Sequence, residues 1–150
     1  MNYEPAMRAA IERARFAATA SKDVPVGAVM LNEKGEIIAL GANQRELLRD
    51  PVGHAEIVAI RSAARSLGNW RLDNCTLVVT LEPCAMCAGA ISQARIKTLV
   101  FGAWDAKAGA VGSVWDVLRD PRSLHQVEVI SGVNESECAA LLSEFFKNNR

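Results

Sequence analysis

The stretch "TLVVTLEPCAMCAGAI", Thr76–Ile91, decides the fold. Thr76–Leu81 is a β-branched and apolar run with little alternation, which is typical of a strand covered on both faces. A helix is predicted from Cys84 to about Arg95, and Pro83 suits its first position, where the missing N–H is not needed. A buried strand that leads directly into a helix indicates an α/β protein.

The rest of the chain continues this alternation of strands and helices. Helices are predicted over Glu4 to about Ala20, Ala55–Leu67, Val114–Leu118 and Glu135–Phe146, and strands over Val26–Leu31, Glu36–Leu40, Thr98–Phe101 and Val127–Ile130. The first two strands flank the turn "NEKG" and form a hairpin, whereas helices separate the later strands, which are therefore expected to be parallel. The pattern predicts one domain, residues 1–150, with a three-layer α/β/α fold and a mixed five-stranded sheet. Gly41–Gly53 is expected to be a long polar loop, which makes it a functional candidate.

The composition is that of an ordinary globular protein. Half of the 150 residues are hydrophobic, and 17 basic residues balance 17 acidic ones. Zero net charge argues against nucleic-acid binding by bulk electrostatics. It leaves room for a local basic groove, for which the candidates are Arg45, Arg49, Lys107, Arg119 and Lys147. No apolar run has membrane-spanning length, and the charged N-terminus predicts no secretory signal, so a cytoplasmic location is expected.

Cys84 and Cys87 form a C-x-x-C pair at the start of the predicted helix. Backbone N–H groups and the helix dipole favour thiolates there, and thiolates are the form that binds zinc. A redox pair is the competing interpretation, although the elements around the pair are not those of a thioredoxin-like protein. Two cysteines fill only half of a tetrahedral zinc site, so further ligands are needed.

His54, in "DPVGHAEIVAI" (Asp50–Ile60), is the candidate third ligand. It precedes one helix as the cysteines precede another, and the carboxyl ends of neighbouring parallel strands meet at one edge of a sheet. Three protein ligands leave a fourth position for water, as in a catalytic zinc site. Glu56 would then stand beside the metal without binding it. Alone, a histidine before an apolar helix is more often a core or capping residue.

"HAE", together with "VTLEPCAMCAGAI" and "RIKTLVFGAWDAKAGAVGS", resembles the cytidine deaminase-like zinc deaminases, whose signature is H-x-E followed by P-C-x-x-C. Within that superfamily, "FGAWDAKAGAVGS" and "ECAALLSEFF" look like the bacterial tRNA-specific adenosine deaminases. The resemblance runs from about Val24 to Phe146. Two positions depart from the family's usual form. A small residue slightly larger than glycine is common at the position of Gly53, and a basic residue is expected at the position of Trp104.

The resemblance implies one zinc ion per chain and hydrolytic conversion of adenosine to inosine at the wobble position of a tRNA anticodon. It implies zinc ligands His54, Cys84 and Cys87, a proton shuttle Glu56, a nucleoside contact Asn43 and a neighbouring-nucleotide contact Asp105. It also implies a homodimer that binds a tRNA anticodon stem-loop.

Two other functions stay open at this point. A deaminase of a free base or nucleoside, such as guanine or cytosine, shares the zinc motif, and a non-catalytic zinc-stabilised RNA-binding module needs no carboxylate at Glu56. Other polar and aromatic residues have structural interpretations. Glu82 is expected to accept backbone N–H groups, Cys75 and Cys138 to be buried, Trp70 and Trp115 to pack, and His125 to lie on the surface or, less readily, to contact RNA.

Overall fold

The computed structural model describes residues 1–149 of the chain. The helices are α1 (Glu4–Ser21), α2 (Arg45–Leu48), α3 (Ala55–Leu67), α4 (Ala85–Gln93) and α5 (Glu135–Asn148). The strands are β1 (Gly27–Leu31), β2 (Ile37–Ala42), β3 (Thr76–Leu81), β4 (Thr98–Ala103) and β5 (Glu128–Ile130). The predicted bounds of α3 and β3 are confirmed to the residue.

The five strands form one mixed sheet in the order β2-β1-β3-β4-β5. β1 pairs antiparallel with both β2 and β3, and β3, β4 and β5 are parallel. The predicted hairpin and the predicted parallel strands are confirmed. The pairing of β1 with β3 was not predicted, because periodicity within a strand carries no information about its neighbours.

Helices cover both faces of the sheet, which confirms the three-layer α/β/α fold. On one face, Ala59 of α3 and Ile91 of α4 pack in the same cluster as Val79 of β3. On the other face, Met7 of α1 and Leu141 of α5 pack in a second cluster, with the strand residues whose side chains point to that face. Because successive strand residues point to opposite faces, both faces of β1, β3 and β4 are apolar.

The sheet brings the starts of α3 and α4 to one edge. β2 and β3 are both antiparallel to β1, so they run in the same direction and their carboxyl ends lie at one edge of the sheet. The amino end of β1 lies between them. The expectation that two neighbouring parallel strands form this edge was therefore wrong in detail. A third segment, residues 24–26, separates them and contributes to the site.

Close packing of α3 on β2 helps to fix this geometry. A Cβ atom at Gly41 of β2 would overlap the carbonyl oxygen of Ala55 at the start of α3. A glycine is therefore needed for the backbone of the helix start to approach the strand this closely. His54 is the N-cap residue of the same helix, so this contact also places His54.

Several local predictions were wrong. Gly41–Gly53 is not one long loop, because β2 extends to Ala42 and α2 occupies Arg45–Leu48. Val114–Leu118 is not helical. It lies in a turn region with an isolated bridge between Val111 and Asp116. Pro83 is not the first helical residue, since Cys84 is the N-cap of α4 and the helix begins at Ala85.

Two predicted packing residues are instead exposed. Trp70 and Trp115 each expose 60% of their surface. Two arginines approach the Trp70 ring, with the guanidinium carbons of Arg71 and Arg95 at 5.4 and 5.9 Å from its centroid. Among the helices of residues 1–149, none combines the length and the apolar character that a membrane span requires.

Candidate active site

His54, Cys84 and Cys87 come together at the sheet edge where α3 and α4 begin. His54 and Cys84 are the N-cap residues of α3 and α4, and Cys87 lies in the first turn of α4. The Nδ1 atom of His54 lies 3.6 Å from Sγ of Cys84 and 3.5 Å from Sγ of Cys87. All three potential ligand atoms lie within 4.8 Å of one another.

These distances fit a tetrahedral zinc site. With zinc–sulfur bonds near 2.3 Å and zinc–nitrogen bonds near 2.0 Å, a sulfur and a nitrogen on the same ion lie about 3.5 Å apart. Two cysteines and one histidine are also a donor set that zinc prefers. Three protein ligands leave the fourth position free, which distinguishes a catalytic zinc site from a structural one.

The two thiols influence each other's protonation. The hydrogen bond with Cys87 lowers the pKa of Cys84 to about 3. The same hydrogen bond, together with burial, raises the pKa of Cys87. The first turn of α4 adds N–H groups and a helix dipole that favour negative sulfur. A divalent cation can take the place of the thiol protons, since metal binding releases protons from thiol ligands.

Glu56 lies beside this centre without belonging to the ligand set. It occupies the first turn of α3, is 4% exposed, and lines the same pocket as His54 and Cys84. Burial raises the pKa of Glu56 to about 7. A buried carboxyl group that can gain and lose a proton near neutrality is suited to general acid–base chemistry.

A cavity of about 230 Å³ opens in front of these residues. Its walls come from the segment before β1, from the segment after β2, from the end of β3, from the starts of α3 and α4, and from the loop after β4. The lining residues are Val24, Val26, Asn43, Arg45, His54, Ala55, Glu56, Leu81, Glu82, Cys84, Asp105 and Ala108. All six residues predicted to form the site are at this edge of the sheet; five line the cavity, and Cys87 is buried beside it.

The two predicted nucleoside contacts also have structural tasks. The side-chain amide of Asn43 donates to the Val24 carbonyl at 3.1 Å, and its oxygen accepts from the Arg45 N–H at 3.3 Å. Asp105 Oδ1 accepts the N–H groups of Lys107 and Ala108, both at 3.1 Å. Both side chains therefore shape the loops that carry them, and their roles in substrate binding stay predictions.

Glu82 organises the loop that follows β4. Its carboxylate, 2% exposed, accepts N–H groups of Asp105 at 2.9 Å, Val111 at 3.0 Å and Ser113 at 3.1 Å, together with the Ser113 hydroxyl. Burial raises the pKa of Glu82, but these hydrogen bonds outweigh burial and hold the pKa below its ordinary value. The predicted structural role of Glu82 is confirmed.

Asp23 is a second buried carboxylate of this kind, and the sequence did not reveal it. It is 1% exposed and accepts the N–H groups of Glu46 at 2.7 Å and Leu47 at 3.2 Å. It thereby fixes α2 against the start of β1. A lone aspartate after a helix has no sequence signal that separates it from a surface residue, so only the long-range contact identifies it.

The structure also gives the burial and the contacts of the other residues that the sequence analysis named. Cys75 and Cys138 are each 1% exposed, as expected. His125 Nε2 lies 2.7 Å from the Ile96 carbonyl, so its ring is held by the backbone and is not a free surface group. Trp104 packs edge-on against Phe101 with 4.9 Å between ring centroids, and it remains 46% exposed. A Cβ atom at Gly53 would lie 3.1 Å from Asp50, a tight contact that a glycine avoids.

The comparisons with known proteins agree with this geometry. Residues 1–103 match the family model of the cytidine and deoxycytidylate deaminase zinc-binding region. The chain belongs to this family of zinc-dependent deaminases.

Particular relatives within the family are similar over nearly the whole chain. The tRNA-specific adenosine deaminase of Bacillus subtilis (strain 168) is 46% identical over 144 residues, which cover 96% of this chain and 88% of that protein. That of Haemophilus influenzae is 49% identical over 147 residues, covering 98% and 84%. The predicted family and its zinc cofactor are thereby confirmed.

The similar solved structures include one from studies of tRNA deaminases and one of a free-base deaminase. One from studies of A-to-I editing by tRNA:A34 deaminases at the wobble position of transfer RNA has a TM-score of 0.88 and 45% identity, covering 92% of this chain and 99% of that one. A guanine deaminase from Nitrosomonas europaea has a TM-score of 0.81 and 28% identity, covering 96% and 84%.

We expect Cys87→Ala to reduce the zinc content of the purified protein from about one ion per chain to well below one, because the ion would keep only two protein ligands. Metal analysis after dialysis checks this. Cys75→Ala is the matched control, since Cys75 is buried in the apolar core, and it should retain zinc. Full zinc content in Cys87→Ala would contradict the ligand assignment.

Proposed function

We propose that this chain converts adenosine to inosine at the wobble position of a tRNA anticodon. The observation that carries the proposal is the identity of 46% and 49% to two tRNA-specific adenosine deaminases over nearly the full length of the chain. The geometry of the pocket supports it, because a His-Cys-Cys set and a buried glutamate face one cavity.

His54, Cys84 and Cys87 hold the zinc ion in this proposal. When bound, the ion supplies Lewis-acid activation of a water molecule. Glu56 is the group that moves protons. It accepts a proton from the attacking water and delivers it to the ring nitrogen beside C6 of adenine. The water oxygen forms a bond to C6. Glu56 then carries the second proton to the departing amino group, the C6–N bond breaks, and ammonia leaves.

A single-stranded loop is the substrate form that suits this pocket. Glu56 and the metal ligands face a cavity, so the target base has to leave any stack before its C6 atom reaches them. Unstacking costs least in a loop, where the base is already unpaired. In this arrangement Asn43 contacts the target nucleoside, and Asp105 contacts the neighbouring nucleotide.

Three further statements belong to the proposal. One domain, residues 1–150, carries the whole site, and the single sheet with helices on both faces supports this. The chain acts as a homodimer, as its resemblance implies, and exposed apolar residues such as Trp115 and Leu124 are suited to burial in an interface. A tRNA substrate suits a cytoplasmic location.

We expect the purified protein to form inosine in an anticodon stem-loop with adenosine at the wobble position, and to leave free guanine and free cytosine unchanged. Chromatography of the nuclease-digested RNA detects inosine, and ammonia release reports turnover of the free bases. The same stem-loop with guanosine at the wobble position is the matched control. Turnover of a free base without turnover of the stem-loop would contradict the proposal.

Deamination of a free purine is the second candidate. The observation that favours it is the similarity to the guanine deaminase from Nitrosomonas europaea, whose fold overlaps this one with a TM-score of 0.81. The identity of 28% is well below the 46% and 49% to the tRNA-specific enzymes, which is why the RNA substrate is preferred.

A further inference from the structure

Arg45 lies at the boundary between the active-site pocket and a neighbouring surface groove. We call this second feature the outer groove, and its lining residues are Ser21, Lys22, Asp23, Val24, Asn43, Arg45, Glu46 and Phe145. Val24, Asn43 and Arg45 line both the pocket and the outer groove. The two depressions therefore adjoin at these three residues, and an RNA strand with one base in the pocket can extend into the groove.

Arg45 is the one lysine or arginine among the pocket-lining residues of the described chain. Glu56, Glu82 and Asp105 line the same pocket, so the pocket otherwise carries carboxylates. Arg45 is exposed, and within residues 1–149 its guanidinium has neither an ion pair nor a hydrogen bond. An unpaired guanidinium at the entrance of a site for a polyanion is available to a phosphate.

The backbone around Arg45 is held in place. Asp23 accepts the N–H groups of Glu46 and Leu47, the two residues that follow Arg45. The N–H of Arg45 itself donates to Asn43 Oδ1 at 3.3 Å. Because backbone N–H groups and the Ser21 hydroxyl already surround the Asp23 carboxylate, that charge is satisfied without Arg45. Fixing the backbone reduces the entropy that ligand binding would cost.

We propose that Arg45 binds the backbone phosphate that joins the target nucleotide to the neighbour lying in the outer groove. This inference rests on the proposed function, because it assumes an RNA substrate. When the base occupies the pocket, the adjoining phosphate has to lie at the boundary that Arg45 shares between the two depressions. The planar guanidinium can donate two parallel hydrogen bonds to such a phosphate.

The test is binding of the stem-loop at several salt concentrations to the wild-type protein, Arg45→Gln, Arg45→Lys and Arg71→Gln. We expect Arg45→Gln to weaken binding about tenfold and to reduce the slope of log K against log salt by about 0.7. Arg45→Lys should keep the slope. Arg71 precedes β3, at the sheet edge opposite the site, so Arg71→Gln should match the wild type.

A neutral methylphosphonate at each of the two phosphates that flank the target locates the contact. One replacement should weaken wild-type binding about tenfold and leave Arg45→Gln binding unchanged, since the two changes remove the same interaction. Unchanged affinity and salt slope in Arg45→Gln, or equal effects of both methylphosphonates on both proteins, would overturn the role of Arg45. The binding readout does not need turnover. RNA binding without inosine therefore contradicts the proposed reaction alone, and an absence of RNA binding overturns both proposals.

Discussion

Replacing Glu56 with glutamine is expected to lower kcat for inosine formation by about 10²–10⁴-fold, the range over which general acid–base catalysis contributes. Glutamine fills nearly the same volume but cannot accept a proton from water. Because Glu56 is 4% exposed and is not one of the three clustered ligands, the variant should keep its fold and about one zinc ion per chain. Inosine formation in single-turnover reactions with the stem-loop is the measurement.

Protein stability separates this catalytic role from a structural one. Burial of a carboxylate costs free energy, and a neutral amide at the same position costs less. The melting temperature of Glu56→Gln should therefore equal or exceed that of the wild type while kcat falls. Glu33→Gln, an exposed glutamate in the turn between β1 and β2, is the matched control and should keep full activity. A Glu56→Gln variant with near wild-type kcat would show that another group moves the proton.

The elements that the sequence predicted best are those whose own residues determine them. The β-branched run of β3 and the apolar spacing of α3 are local signals, and their bounds are as expected. The metal ligands could be proposed because zinc requires particular residue types, and His54, Cys84 and Cys87 supply them. Their convergence depends on the starts of two helices lying at one sheet edge, which the alternation of elements already implied.

What the sequence could not show depends on contacts between distant segments. The position of β1 between β2 and β3 comes from strand pairing, and the periodicity within these three strands does not predict it. Val114–Leu118 has apolar residues that suit a helix. However, Glu82 accepts hydrogen bonds from the nearby N–H groups of Val111 and Ser113, and these bonds hold the segment in turns. Asp23 is a similar case, since its partners Glu46 and Leu47 are more than twenty residues away.

The largest expected loss of stability follows from Glu82→Ala. The substitution removes the acceptor for three backbone N–H groups and the Ser113 hydroxyl in a buried site. Each buried donor that loses its partner costs about 1–3 kcal/mol, and water entering the space left by the side chain recovers part of that. We therefore expect the free energy of unfolding to fall by about 3–5 kcal/mol, measured by urea denaturation with zinc present.

Hydrogen exchange of the backbone N–H groups that lose their acceptor is a second measurement of the same effect. The N–H groups of Val111 and Ser113 should exchange with solvent much faster in Glu82→Ala, because they lose their acceptor while the strands keep theirs. Asp73→Ala is the matched control, since it removes a carboxylate from an exposed ion pair with Arg71 and should change stability by about 1 kcal/mol or less. Gly109→Ala should mimic Glu82→Ala, because its Cβ atom would overlap the Glu82 carboxylate. If Glu82→Ala is as stable as Asp73→Ala, the loop that carries Asp105 is held by other contacts, and Glu82 does not position the pocket wall.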